Sequence, residues 1–139
     1  MNTGALKIVL DTNVVVSMIG RTSRHRWIFD RILAGGFTLC ISKEILLEYE
    51  EVLTQRTIAE VASNFSEFLT SFPHVFQTEI FYHWNLIAAD PDDNKFVDCA
   101  VAANAFCIVS EDRHFRPIRD LDFPPLKVLT LDEFTALFK

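Results

Sequence analysis

Short apolar runs separated by longer amphipathic stretches set the rhythm of this chain. LKIVLD (6–11), FTLCIS (37–42), FCIVS (106–110) and LKVLT (126–130) are rich in β-branched and aliphatic residues. Runs this short and this apolar predict strands buried on both faces. Between them, apolar residues recur at helical spacing. Trp27, Ile28, Ile32 and Leu33 predict a helix over about 22–34, stopped by Gly35 and Gly36. Ile45, Leu46, Tyr49, Val52 and Leu53 predict a helix that Ser42 caps and that runs to about Gln55. Ile58, Val61, Ala62, Phe65, Phe68 and Leu69 predict another over about 57–72, ended by Pro73. HVFQTEIFYH (74–83) suits a short strand and then irregular chain, and DPDDN (90–94) a turn leading into a helix over about 93–105. LDEFTALF (131–138) predicts a terminal helix. Strands alternating with helices predict βαβ units: an α/β fold with a mainly parallel sheet and helices on both faces.

Composition narrows the class. At 139 residues and 50% hydrophobic, the chain suits one compact domain, 1–139, with a sizeable core. No apolar run approaches the ~20 residues that cross a bilayer, and no signal peptide is evident, so a cytoplasmic protein without a membrane partner is expected. Cys40, Cys99 and Cys107 lie in apolar contexts without C-x-x-C spacing, which reads as buried thiols in a reducing compartment. The net charge of −6 argues against gripping nucleic acid by bulk electrostatics. Its distribution qualifies that. Arg21, Arg24, His25, Arg26 and Arg31 cluster after the first strand, and Arg113, His114, Arg116 and Arg119 after the FCIVS strand. Such a rim around an acidic centre would hold phosphates, with Arg21, Arg24, Arg26 and Arg113 as the candidate contacts.

The acidic centre is the chemistry to be explained. Asp11 closes the first strand, Asp112 follows CIVS, Asp98 is the only charge in FVDCAVAA, and Glu48 lies in the helix after the second strand. Strand C-termini of an open α/β sheet share the edge where such folds bind ligands. Carboxylates brought together there repel by about 3 kcal/mol per pair at roughly 5 Å and an effective dielectric near 20, so they need a cation. Each has an ordinary alternative. Asp11 and Asp112 suit turns or caps, and Glu48 suits a solvated helix face. Asp98 could sit on a wet helix edge with Asn94, yet buried without a partner it would cost several kcal/mol. The helical wheel sends Glu44 and Glu51 to solvent and leaves Glu48 and Glu50 flanking the apolar stripe, with no choice between them.

VLDTNVVVS, then ISKEILLEYEEVL, then DPDDNKFVDCAVAANAFCIVSEDRHF, in that order and spacing, resemble the PIN domain. The likeness covers nearly the whole chain and is greatest to the VapC-like toxins of toxin–antitoxin pairs. It implies a three-layer α/β/α sandwich with a central parallel sheet of order 3-2-1-4-5. It also implies a Mg2+ or Mn2+ site that cleaves single-stranded or structured RNA. Carried over by residue, the family's acids fall on Asp11, Glu48 (not Glu50) and Asp112, with Ser110 in the Thr/Ser place before the last. The third acid falls on Asp93 or Asp98; Asp98 is favoured for its isolation and Asp93 is kept as an accessory ligand. The implied catalytic group is thus Asp11, Glu48, Asp98 and Asp112. Asp11 and Asp112 would be principal ligands, and Asp98 or Glu48 would position a second metal or the attacking water. Thr12, Asn13 and Ser110 would hydrogen-bond this shell.

A cognate antitoxin protein and a homodimer are the further partners implied, and the close spacing of Phe65, Phe68, Phe72 and Phe76 suits an apolar docking face. Two other classes remain. A haloacid-dehalogenase-type phosphatase expects a second Asp where Asn13 stands and a late lysine where SED stands. An inert PIN-like RNA-holding or interaction module would keep the acids without turnover.

Overall fold

β1 (Leu6–Leu10) is the central strand of the computed structural model, which describes residues 5–139; the first four residues of the expected 1–139 domain lie outside that description. It pairs in parallel with β2 (Phe37–Ile41) on one side and β4 (Cys107–Val109) on the other. β3 (Val75–Gln77) extends the sheet beyond β2, and β5 (Val128–Leu129) beyond β4. The five strands therefore run β3-β2-β1-β4-β5, all parallel. Ile8, Val9 and Leu10 are fully buried, as expected of a strand covered on both faces.

The helices are α1 (Thr12–Met18), α2 (Arg26–Leu33), α3 (Lys43–Arg56), α4 (Ala59–Ser71), α5 (Asn94–Ala103) and α6 (Leu131–Phe138). From β1 through β2 to β3 the chain moves one way across the sheet, and from β3 to β4 it returns past β1. Right-handed crossovers in opposite directions put their helices on opposite faces, which makes the three-layer α/β/α arrangement. On one face Trp27 of α2 stacks on Phe134 of α6 at 5.7 Å between centroids, and Phe37 of β2 packs against both rings. α5 lies against β1, β2 and β4.

Local chemistry explains most element ends. Ser42 caps α3 by accepting the Ile45 amide, and Thr130 and Glu133 form a reciprocal capping box on α6. Gly35, at φ +84°, ends α2 in the left-handed conformation that glycine adopts without penalty. Two boundaries differ from expectation. α2 begins at Arg26, four residues later than the apolar spacing predicts. α1 is not predicted at all: its run of valines disfavours helix, but Val14, Val15 and Met18 are buried and Asp11 accepts the Thr12 amide at its start.

Cys40, Cys99 and Cys107 are free and buried, and burial pushes each thiol up to about 12. They are packing residues. No helix among the described residues is long and apolar enough to cross a membrane.

Candidate metal centre

The crevice between β1 and β4 is where the sheet's winding reverses, and it is the place where open α/β sheets bind ligands. Asp11 leaves β1 there and Ser110 leaves β4. The Ser110 hydroxyl donates to Asp11 Oδ2 at 2.7 Å and accepts the Asp112 amide at 2.9 Å, so one side chain fixes both acids. The second oxygen of Asp11 accepts the Thr12 amide at 2.7 Å. Asp112 caps the 3-10 segment Arg113–Ile118 through the His114 amide.

Asp93 completes the group from the start of α5, after a short 3-10 turn, Pro91–Asp93. Asp90, Asp93, Asp112 and His114 each present a ligand atom, all within 4.8 Å of one another. His114 Nδ1 lies 3.2 Å from Asp112 and 3.7 Å from both Asp90 and Asp93. Asp93 Oδ2 and His114 Nδ1 are buried with no hydrogen-bond partner. Burial, the facing Asp112 carboxylate and the charges of Asp11, Asp112 and Asp90 push the Asp93 carboxyl up to about 8. Burial also raises Asp11, against the lowering effect of Ser110 and the Thr12 amide. Asp112 goes the other way. Burial would raise it, but the His114 amide, the Asp93 carboxyl and the His114 and Arg113 charges hold it low. Two neighbouring carboxyls forced apart in this way, with a bare buried oxygen between them, form an oxygen-donor set that suits a hard divalent cation.

Of the expected acids, Asp93 and Asp112 are in this group of facing ligand atoms, and Asp11, Glu48 and Asp98 are outside it. Asp98 is 4% exposed. It accepts the Trp84 amide at 2.9 Å and contacts His83 Nδ1 at 2.9 Å. Asn94, one turn earlier, clamps both the amide and the carbonyl of Ile87. These buried polar side chains pin the irregular chain that follows β3 onto α5. The Trp84 amide and the His83 ring are the partners that isolation in an apolar run demanded.

Glu48 and Glu50 separate clearly. Glu50 accepts the Ser66 hydroxyl of α4, whereas Glu48 accepts the Thr12 hydroxyl beside Asp11 and lies 2.7 Å from Lys95 Nζ. Burial works against the Lys95 charge, but Glu48 and Asp92 outweigh it and raise the ammonium above its usual range. Tyr49, next to Glu48, is fully buried and donates to the Leu10 carbonyl, which ties α3 to the end of β1. Asn13 is exposed, its side-chain oxygen accepting from Arg56 at 3.3 Å.

The basic rim is uneven. Arg113 is exposed beside Asp112, and Arg21 is exposed after α1. Arg24 lies 3.7 Å from Asp132 at the start of α6, which puts it on the same sheet edge. Arg26 is committed to the fold: it pairs with Asp30, donates to the Ile19 carbonyl at 2.9 Å and covers the Phe29 ring. Asp90, Lys95 and His114 are members of the centre that sequence reasoning left out. DPDDN reads as a turn and the histidine as part of the rim, the lysine carries no signal of its own, and no spacing rule sets them apart.

Comparison with known proteins gives the same outline. A family model described as the PIN domain matches residues 7–114. No curated protein matches the chain. Among solved structures, a chain in the crystal structure of VapBC2 from Rickettsia felis, bound to a DNA fragment from their promoter, superposes with a TM-score of 0.63 at 19% identity. It covers 90% of this chain and 98% of its own. The PIN domain of RRP44 from T. brucei superposes with a TM-score of 0.53 at 12% identity, covering 95% of this chain and 80% of that one. A family match from β1 to the residues just beyond β4, on a sheet of this order and with its acids at the reversal point, leaves one assignment: the chain belongs to the PIN domain family.

Proposed function

We propose that this protein is a Mg2+- or Mn2+-dependent endoribonuclease, the toxin of a toxin–antitoxin pair, working in the reducing cytoplasm that three free thiols suit. The observation that carries the reading is the bare, buried Asp93 oxygen facing Asp112, with Asp11 fixed beside it by Ser110. Asp93 and Asp112, whose ligand atoms lie together with those of Asp90 and His114, would hold the cation, joined by Asp11, which Ser110 ties to the Asp112 amide. When bound there, a divalent ion supplies charge neutralisation at the scissile phosphate and a more acidic water for in-line attack.

The chain's own groups do the rest. Ser110 keeps two of the ligands in register, and Thr12 and Lys95 hold Glu48 close to Asp11. Arg113 and Arg21 are free to meet phosphates; Arg24 reaches them by releasing an exposed ion pair that contributes little. Asp98 supports the site through the chain it anchors. The VapBC2 likeness favours an antitoxin as partner, and the exposed Phe81 and Phe123 rings offer apolar surface for it or for a second copy. Sedimentation at high concentration tests the homodimer, which a clean monomer would rule out.

Cleavage of a labelled RNA panel by wild type and Asp11→Asn, with and without Mg2+ or Mn2+, tests the activity. The expected result is metal-dependent cleavage that the variant loses. Equal, metal-independent behaviour of the two proteins would leave the inert interaction module as the function.

A further inference from the structure

Glu48 is held by two groups at once. Its Oε1 lies 2.7 Å from Lys95 Nζ, and its Oε2 accepts the Thr12 hydroxyl. Thr12 is the residue after Asp11, whose Oδ1 accepts the Thr12 amide at 2.7 Å, so Glu48 stands next to the proposed ligands. Lys95 is itself tied down: Nζ donates to the Asp92 carbonyl at 2.8 Å and lies 3.2 Å from the Asp92 carboxylate. Its side chain is only 8% exposed. A surface lysine samples many partners, but one buried this far is fixed where its counter-charge is.

The acids therefore fall into two halves. Asp93 keeps an oxygen with no hydrogen-bond partner, facing Asp112 and 3.7 Å from His114 Nδ1, so its half of the site has a ligand atom to spare. Both Glu48 oxygens are already engaged, one by an ammonium and one by a hydroxyl. A divalent ion on Glu48 would have to expel Lys95, or bind with a buried ammonium alongside it. Either is costly for an ammonium whose side chain is only 8% exposed.

We infer that Lys95 fills the second cation position of this centre. One divalent ion binds at Asp11, Asp93 and Asp112, and the Lys95 ammonium provides at Glu48 the fixed positive charge that a second ion provides in two-metal hydrolases. The inference rests on the metal-dependent nuclease reading and deepens it. Lys95 acts as a positioning residue, setting the direction and charge of Glu48.

Titration of the purified chain with Mn2+ alone, followed by electron paramagnetic resonance, tests this without RNA. Wild type is expected to bind one Mn2+ per chain with the hyperfine spectrum of an isolated ion. K95M frees Glu48 and is expected to take up a second, exchange-coupled Mn2+, while kcat on RNA falls by about 100-fold, the scale of losing one fixed electrostatic contact. K95R is expected to keep a single ion and recover much of kcat. Two coupled ions in wild type would overturn the inference and leave the nuclease reading standing; no bound Mn2+ would remove both. A K95M protein that still binds only one ion would also overturn it, and the wild-type measurement holds even if that variant does not fold.

Discussion

Asp93 and Asp98 are five residues apart and carry the same group, yet their environments assign them opposite work. Asp98 finds its partners in a backbone amide and a histidine ring, so its charge is satisfied by the fold. Asp93 is left with an oxygen that only a proton shared with Asp112, or a cation, can satisfy. Asp98→Ala should therefore destabilise the protein by about 1–3 kcal/mol, since it strips two partly buried hydrogen bonds and unpins the chain after β3. Its Mn2+ affinity should stay within a few-fold of wild type. Asp93→Asn should do the reverse, lowering Mn2+ affinity by at least ~10-fold and leaving stability intact. Urea melts and calorimetric Mn2+ titration of the two variants check the pair. Loss of Mn2+ binding in Asp98→Ala with an unchanged melt would return Asp98 to the ligand set. The distinction was not legible in the sequence because the partners of Asp98 come from Trp84 and His83, in a stretch without periodicity. An isolated carboxylate announces that it needs a partner and says nothing of which one.

At the scale of elements, α3 is the part that converts packing into site geometry. Ser42 fixes where it starts, and the Tyr49 hydroxyl anchors its middle to the Leu10 carbonyl, one residue before Asp11. Tyr49→Phe leaves that buried carbonyl without a donor and should cost about 1–3 kcal/mol. Ser42→Ala should cost about 1 kcal/mol through the lost cap. Because the Tyr49 hydroxyl holds the carbonyl one residue before Asp11, the tyrosine variant should also weaken Mn2+ affinity, whereas the serine variant should not. Denaturant melts with parallel Mn2+ titrations separate them, and equal effects on affinity would deny Tyr49 any role in placing Asp11. Elements of this kind were largely legible: β1, β2, α3 and α4 follow from apolar runs, spacing and caps. α1 was not, because three consecutive valines disfavour helix and only the burial of Val14, Val15 and Met18 against the core makes the segment helical. The 3-10 segment after Asp112 was equally hidden. It is held by one side-chain cap, which no periodicity reports.

The whole molecule stores an electrostatic cost at one sheet edge, and that cost gives stability a pH dependence of known sign. In the unfolded chain Asp93 ionises in the ordinary carboxylate range, while in the folded chain it keeps its proton up to about 8. Between those limits the folded state binds the extra proton, so raising the pH through this window removes stability. Asp11, also raised, adds to the same trend at its lower end. Asp112, held low, contributes stability above the usual carboxylate range and loses it only in stronger acid. A cation that binds only the folded state stabilises it, and does so more strongly once it no longer has to displace a proton. The metal-free protein should therefore melt at lower temperature at about pH 8 than at about pH 6, and the gain in Tm from saturating Mn2+ should grow over the same interval. Asp93→Asn should flatten both dependences, because the amide neither titrates nor repels its neighbours. Thermal melts of the two proteins at a series of pH values, with and without Mn2+, make the comparison. A Mn2+ effect that is the same at every pH, or the same in the variant, would mean that the ion binds elsewhere and that the acids between β1 and β4 are held for some other purpose.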